Sequence, residues 1–166
     1  MFSRVLIAFL SFFASCSLLF AITIPKEHIY VFERSTNSNY VCYDINLNGG
    51  NLCQKEPLKS YWVLDEGTRI GEPSYLEKKI AFGIKVVSST ENEAVVHMTA
   101  YKDLKIRICK HKGKWVGIVK QNGHEMVLQK MFAQMKQSVY PKCEYVDVYG
   151  TDINTGEKRK ERIMAK

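Results

Sequence analysis

From Lys79 to Val86 the chain alternates, with Ile80, Phe82, Ile84 and Val86 apolar and Lys79, Gly83 and Lys85 between them. Successive side chains of an extended strand point to opposite faces, so this period of two predicts a strand with one buried side. Leu104, Ile106 and Ile108, set against Lys105, Arg107 and Cys109, predict another. Further strands are expected over 29–33, 39–47, 58–64, 93–100, 114–120, 126–135, 143–151 and 157–164. The breaks between them hold Asn48-Gly49-Gly50-Asn51, Gln121-Asn122-Gly123-His124 and Asn154-Thr155-Gly156, residues that tolerate the positive φ of tight corners. One stretch argues for a helix. Ser74 and Glu77 after Pro73 have capping-box spacing, and the helix must be short because the Ile80 strand follows directly. Many short strands in one small chain predict an all-β, mainly antiparallel fold: a single β-barrel or β-sandwich domain with one short helix.

The first residues change the picture of where this domain resides. After Arg4 the chain runs from Val5 to Thr23 without a charge, and Ser15, Ser17 and Ala21 are small enough for a cleaving peptidase. This predicts a secretory signal over 1–23 and a single β-rich domain over 24–166, periplasmic or secreted. A membrane anchor is the competing reading, since about 20 apolar residues span a bilayer. Lipidation at Cys16 is weaker, because Phe13 fits a lipoprotein box poorly and Leu18-Leu19-Phe20 is greasy where a tether is polar. The remaining cysteines, Cys42, Cys53, Cys109 and Cys143, suggest disulfides in an exported chain, in any of three pairings.

The formal charge is +7, with Lys158, Arg159, Lys160, Arg162 and Lys166 gathered at the C-terminal end. That end is suited to peripheral contact with an anionic membrane or polysaccharide, and export argues against nucleic acid as a partner.

Asp44, Asn46, Asn48 and Gly49 reproduce the opening of an EF-hand loop, but the twelfth position is Lys55 where a bidentate Glu belongs. The flanks also read as strands, so this stretch is expected to be a hairpin, and no metal site is predicted. His28, His97, His111 and His124 lack zinc-ligand spacing, and no nucleotide fingerprint or nucleophile elbow is present. No cofactor is expected.

Three ordered blocks carry a resemblance: Arg34 to Asp44, Pro57 to Trp62, and Ala81 to Lys85, followed by Gly150 to Gly156 and Glu161 to Ile163. They resemble R-S-x-N-x-N-x-V-x-Y-D, P-[hydrophobic]-x-x-Y-W, A-[YF]-G-[hydrophobic]-K, G-x-D-x-x-T-G and E-x-I of the bacterial family described as domain of unknown function 4833. The final strand departs from it, since Lys158-Arg159-Lys160 is more basic. The resemblance implies exported proteins and no particular activity.

Within these blocks Arg34, Asn37 and Asn39 offer hydrogen-bond donors to a carboxylate, phosphate or sugar. Tyr40, Tyr43, Tyr61 and Trp62 offer stacking faces, and Lys59, Lys85 and Arg107 offer positive charge. The scaffold alternative is that the Asn side chains cap their own backbone, Arg34 holds Glu33 or Asp44, and the aromatic residues fill the core. The expected function is a non-enzymatic binding or structural module for a small ligand or envelope component. The alternatives are a hydrolase or lyase built from Arg34, Lys85, His97 and a Tyr, and a surface-adhering protein using the basic end.

Overall fold

The computed structural model describes residues 28–136 and 142–165. The segment over 1–23 expected to be a signal, with Cys16, and Lys166 lie outside them. The described residues form β1 (Tyr30–Arg34), β2 (Tyr40–Ile45), β3 (Leu47–Asn48), β4 (Asn51–Leu52), β5 (Leu58–Leu64) and β6 (Arg69–Gly71). After a short helix α1 (Tyr75–Glu77) come β7 (Ile84–Ser89), β8 (Glu93–Met98), β9 (Tyr101–His111) and β10 (Lys114–Gln121). The chain ends on β11 (His124–Lys136), β12 (Lys142–Asp152) and β13 (Lys158–Met164). The all-β expectation holds, and the sheet curls into a half-barrel rather than closing.

Eleven strands share one sheet, and its organising element is β11. The first part of β11 pairs antiparallel with β10, from Ile118↔Val127 to Gln121↔His124. Its later part pairs instead with β1, in parallel, from Val31↔Lys130 to Arg34↔Ala133. The opposite edge pairs with β12 throughout, and β12 carries β13. Strands β1 and β10 therefore lie on the same side of β11 and diverge. One arm continues through β2, β5 and β6, the other through β9, β8 and β7.

The change of partner coincides with an irregularity between Leu128 and Lys130. Met126 and Leu128 point inward before it, Met131 and Ala133 after it, so the buried parity switches from even to odd. A bulge inserts one unpaired residue, here Gln129, and so restores the apolar side to the core after the bend.

One apolar cluster fills the concave side, with Tyr30, Phe32, Val41, Tyr43 and Trp62 from one arm and Val96, Met98, Leu104, Ile106 and Ile108 from the other. The predicted alternation of Leu104, Ile106 and Ile108 is thus realised. The three predicted corners also form: Gly49 and Gly50 close β3–β4, Asn122 and Gly123, at φ 49° and 83°, close β10–β11, and the turn ending at Gly156, φ 75°, joins β12 to β13.

Two expectations are corrected. The strand predicted from Ile80 begins only at Ile84, because the capping box drives the chain into a helix that continues. The Ser74 hydroxyl accepts from the Glu77 amide, and Glu77 Oε2 accepts from the Ser74 amide at 2.8 Å. A wide turn over Lys78–Phe82 then follows, leaving Ile80 exposed and burying Phe82. The second correction concerns the cysteines, all four of which are free thiols. Cys42 faces Val31 and Tyr61 across the sheet, Cys109 faces Val116 and Glu93, and Cys143 faces Met135. Strand register brings no cysteine opposite another.

Candidate functional site

The first three sequence blocks meet on the concave side. Arg34, at the end of β1, lays its guanidinium over Trp62 at 5.0 Å and Phe82 at 5.5 Å. Trp62 and Phe82 meet edge to face at 4.9 Å, and the Tyr43 hydroxyl donates to the Phe82 carbonyl at 2.8 Å. Burial lowers the Arg34 pKa, opposed by the nearby Glu77 carboxylate, and Arg34 Nε is buried without a hydrogen-bond partner. Aromatic faces hold this cation, where the scaffold alternative gave it Glu33 or Asp44. Asn37 and Asn39 brace the adjoining loop: Asn37 Oδ1 accepts from the Asn39 amide, and Asn39 Oδ1 accepts from the Asp65 amide, both at 3.2 Å. Tyr40 begins β2 opposite Val63 and Glu33, and burial raises its pKa.

Adjacent residues on a strand point to opposite faces, so Tyr61 and Trp62 separate. Trp62 joins the concave core, while Tyr61 lies on the convex side with Cys42, Asp44 and His28. His28 Nδ1 is 2.7 Å from Asp44 Oδ1, and His28 Nε2 is 3.6 Å from Cys42 Sγ. The Tyr61 hydroxyl is 3.4 Å from His28 Nδ1. Burial pushes the Cys42 thiol up to about 12 and raises Tyr61 strongly. Cys42 and Asp44 share a strand face at spacing two, a signal legible in the sequence. The contribution of His28 comes from the fold alone. Asp44 is thus engaged by histidine, and Asn46 donates to the Glu56 carbonyl at 2.7 Å, as a hairpin requires.

His28 and Asp44 border a crevice of about 850 Å3 where β1 and β10 diverge, lined also by Trp115, Val116, Leu128 and the bulge residue Gln129. A second concavity, about 380 Å3, lies between the wide turn after α1, the start of β7 and the loop before β5. Lys55, Lys78, Lys79 and Lys85 line it, with Ser60 and Tyr75. Among the described residues Lys78 has an acid at ion-pair distance, Glu72 at 3.9 Å, and the other three lysines have none.

Lys59 pairs with Asp44 in the register of β2 and β5. Arg107 sits elsewhere, on β9, with Glu93 at 3.5 Å and Cys109 Sγ at 3.6 Å. His97 Nδ1 lies 2.9 Å from the Met98 carbonyl, across the β7–β8 ladder from Lys85. The basic end is largely engaged within the fold. Lys160 and Arg162 reach the buried Asp147 at 2.8 and 2.7 Å, and Arg159 reaches the buried Asp152 at 2.9 Å. Among the described residues, no helix is long and apolar enough to cross a membrane.

Those pairs set an acid response. Hydrogen bonds from Arg162 hold Asp147 at about 2, and the amides of Thr155 and Asn154 hold Asp152 at about 2. An unfolded Asp takes up its proton near pH 3.9. The stabilisation is therefore complete above that pH and is lost as pH falls toward 2. Urea titrations at pH 7, 4, 3 and 2 are expected to show stability falling across the acid range. Asp147→Asn is expected to flatten the fall, and an unchanged slope would contradict this origin.

Fold and site together define an all-β protein whose curled sheet is locked by an aromatic-caged arginine and flanked by two concavities on different elements. The chain belongs to the family described as domain of unknown function (DUF4833), whose model matches residues 30–162. No curated protein and no solved structure matches it. The family signature acquires a physical sense here, because Arg34, Tyr43, Trp62, Phe82 and Gly83 meet in one packing unit. In the fourth block, Asp152 Oδ1 accepts from the Asn154 and Thr155 amides at 2.9 and 3.1 Å and shapes the β12–β13 turn.

Proposed function

We propose that the protein is an exported, non-enzymatic binding module that takes a small anionic ligand in the lysine-lined concavity. The observation that carries this reading is the gathering of Lys55, Lys78, Lys79 and Lys85 around a space of about 380 Å3. Ligand pockets begin near 300 Å3, and four lysines against one carboxylate, Glu56, leave this concavity with an excess of positive charge that an anion relieves. Ser60 and Tyr75 add hydroxyls for orientation. The ligand class is a carboxylate or phosphate, because an ammonium binds either as a point charge with three donors. Export rests on the apolar run before Thr23.

Calorimetric titration with citrate and with pyrophosphate at low salt is the test. One saturable site is expected for at least one probe, weakening as salt is raised. Lys79→Ala and Lys85→Ala are each expected to weaken binding about tenfold, the loss of one charged hydrogen bond. No saturable heat, or variants that bind unchanged, would remove this function from the pocket.

A further inference from the structure

Eight large apolar side chains stay exposed among the described residues, and five of them, Tyr75, Leu76, Ile80, Val86 and Val87, fall between positions 75 and 87. Exposed apolar side chains gathered beside charged ones mark a surface that another body covers. We infer that this projection, made of α1, the wide turn after it and β7, docks on an anionic phospholipid bilayer. Tyr75, Leu76 and Ile80 enter the interface, and the neighbouring lysines meet the phosphates. The inference rests on the reading of the lysine-lined concavity as an anion site and names the source of the anion.

The projection is fixed at both ends. Pro73 before it and Phe82 at its close are buried. The Ser74–Glu77 capping box starts the helix, and the Lys78 carbonyl accepts from the Gly83 amide at 3.0 Å, which closes the turn. Between these anchors Tyr75 is 81% exposed, and Leu76 and Ile80 are each 62% exposed. Leu76 and Ile80 stand four residues apart along a continuous helical segment, so they share a side. Their arrangement is set before any partner arrives, and little conformational freedom is lost on docking.

Charge selects the partner. Tyr75 and Val86 line the same concavity as Lys55, Lys78, Lys79 and Lys85, which puts ammonium groups beside the apolar tips. Against them stand Glu56, in the same lining, and Glu72, 3.9 Å from Lys78. Glu77 is committed to the Ser74 amide. An anionic bilayer offers the complement, phosphates above hydrocarbon, and lysines reach such phosphates while their stems lie along apolar surface. Each lysine brought to that surface is worth about fivefold in partitioning. Tyrosine fits the boundary because its ring is apolar and its hydroxyl stays wet. A strand-adding protein fits less well: β7 ends its sheet, but its register slips between Val86 and Ser88, and a bulged edge is a poor template for pairing.

Sedimentation with vesicles is the test, using phosphatidylglycerol mixed with phosphatidylcholine, and phosphatidylcholine alone. The protein lacks residues 1–23, whose apolar run would enter a bilayer by itself, and keeps every described residue. Binding is expected to the anionic vesicles alone, weakening as salt rises. Leu76→Ser combined with Ile80→Ser should lower partitioning about tenfold or more, since two apolar side chains lose their burial, while citrate and pyrophosphate bind as before. Circular dichroism checks that the double variant is folded. Equal partitioning of parent and double variant, or equal binding to both kinds of vesicle, overturns the inference. So does a concentration-dependent dimer that the double variant loses, which would give the patch to a second copy of the chain. A protein that takes citrate or pyrophosphate but leaves the vesicles would overturn the bilayer and keep the small anionic ligand. Failure of all three probes would remove the concavity as an anion site and the bilayer with it.

Discussion

Gly83→Ala is expected to lower the melting temperature by roughly 10 °C, a destabilisation of about 3 kcal/mol at the upper end of overpacking costs. The backbone of Gly83 is ordinary, with φ −66° and ψ 153°, so conformational freedom is not the reason. A Cβ at this position would stand 2.1 Å from the Lys78 carbonyl oxygen and 3.0 Å from Thr99 Oγ1. That oxygen accepts from the Gly83 amide at 3.0 Å and from the Thr99 hydroxyl at 3.1 Å. The methyl group must push apart the acceptor that closes the wide turn, and Thr99 loses a partner in the same motion. Phe82, which the turn delivers to the core, moves with it. Thermal unfolding followed by circular dichroism provides the check. A melting temperature within a degree or two of the parent would show that the turn has room to spare.

Trp62→Ala should have the largest effect of any single substitution in the arginine cage, about 3 to 5 kcal/mol. Trp62 is 6% exposed, meets Phe82 edge to face and carries the Arg34 guanidinium on its ring. Its side chain also helps hold the Glu77 pKa down, which sets the indole beside α1. Truncation opens a cavity and leaves the half-buried cation with Phe82 as its remaining ring. Trp62→Phe keeps a ring beneath Arg34 and is expected to cost less than half as much. Urea titration of both variants measures the difference. If Trp62→Ala stayed as stable as the parent while ligand binding vanished, the indole would be a recognition surface rather than a strut.

The strands were legible because most are amphipathic, and Leu104, Ile106 and Ile108 are buried where their alternation puts them. The stretch from Ile80 failed for a specific reason. A capping box and a period-two pattern overlap there, and the local hydrogen bonds of Ser74 and Glu77 decide the conformation before the apolar positions do. The parallel placement of β1 beside β11 has no local signature, since β1 reads the same whichever neighbour it has. Its trace is indirect: the apolar parity slips across Gln129, where the chain must change partners. Of the side chains singled out from sequence, Arg34 and Trp62 meet in one unit and Lys85 lines a pocket. Asn37 and Asn39 brace a loop, and Tyr61 faces away from Trp62. Tyr-Trp names two neighbours in the chain but two sides of a sheet. His28 joins Cys42 and Asp44 through strand register, which no spacing rule encodes.

The fork in the sheet also governs the order in which the molecule comes into being. Strand β1 finds β2 within a few residues, yet its other edge waits for β11, and the Ser35 hydroxyl accepts from the Met135 amide across a separation of 100 residues. Until the last third of the chain is present, that edge remains an open template for any passing strand. Pairings this distant in sequence form slowly, because loop entropy must be overcome before contact rewards it. A nascent chain of this family is therefore unfinished as a sheet until nearly all of it has been made. That delay makes the interval before β11 arrives the moment of greatest exposure to aggregation.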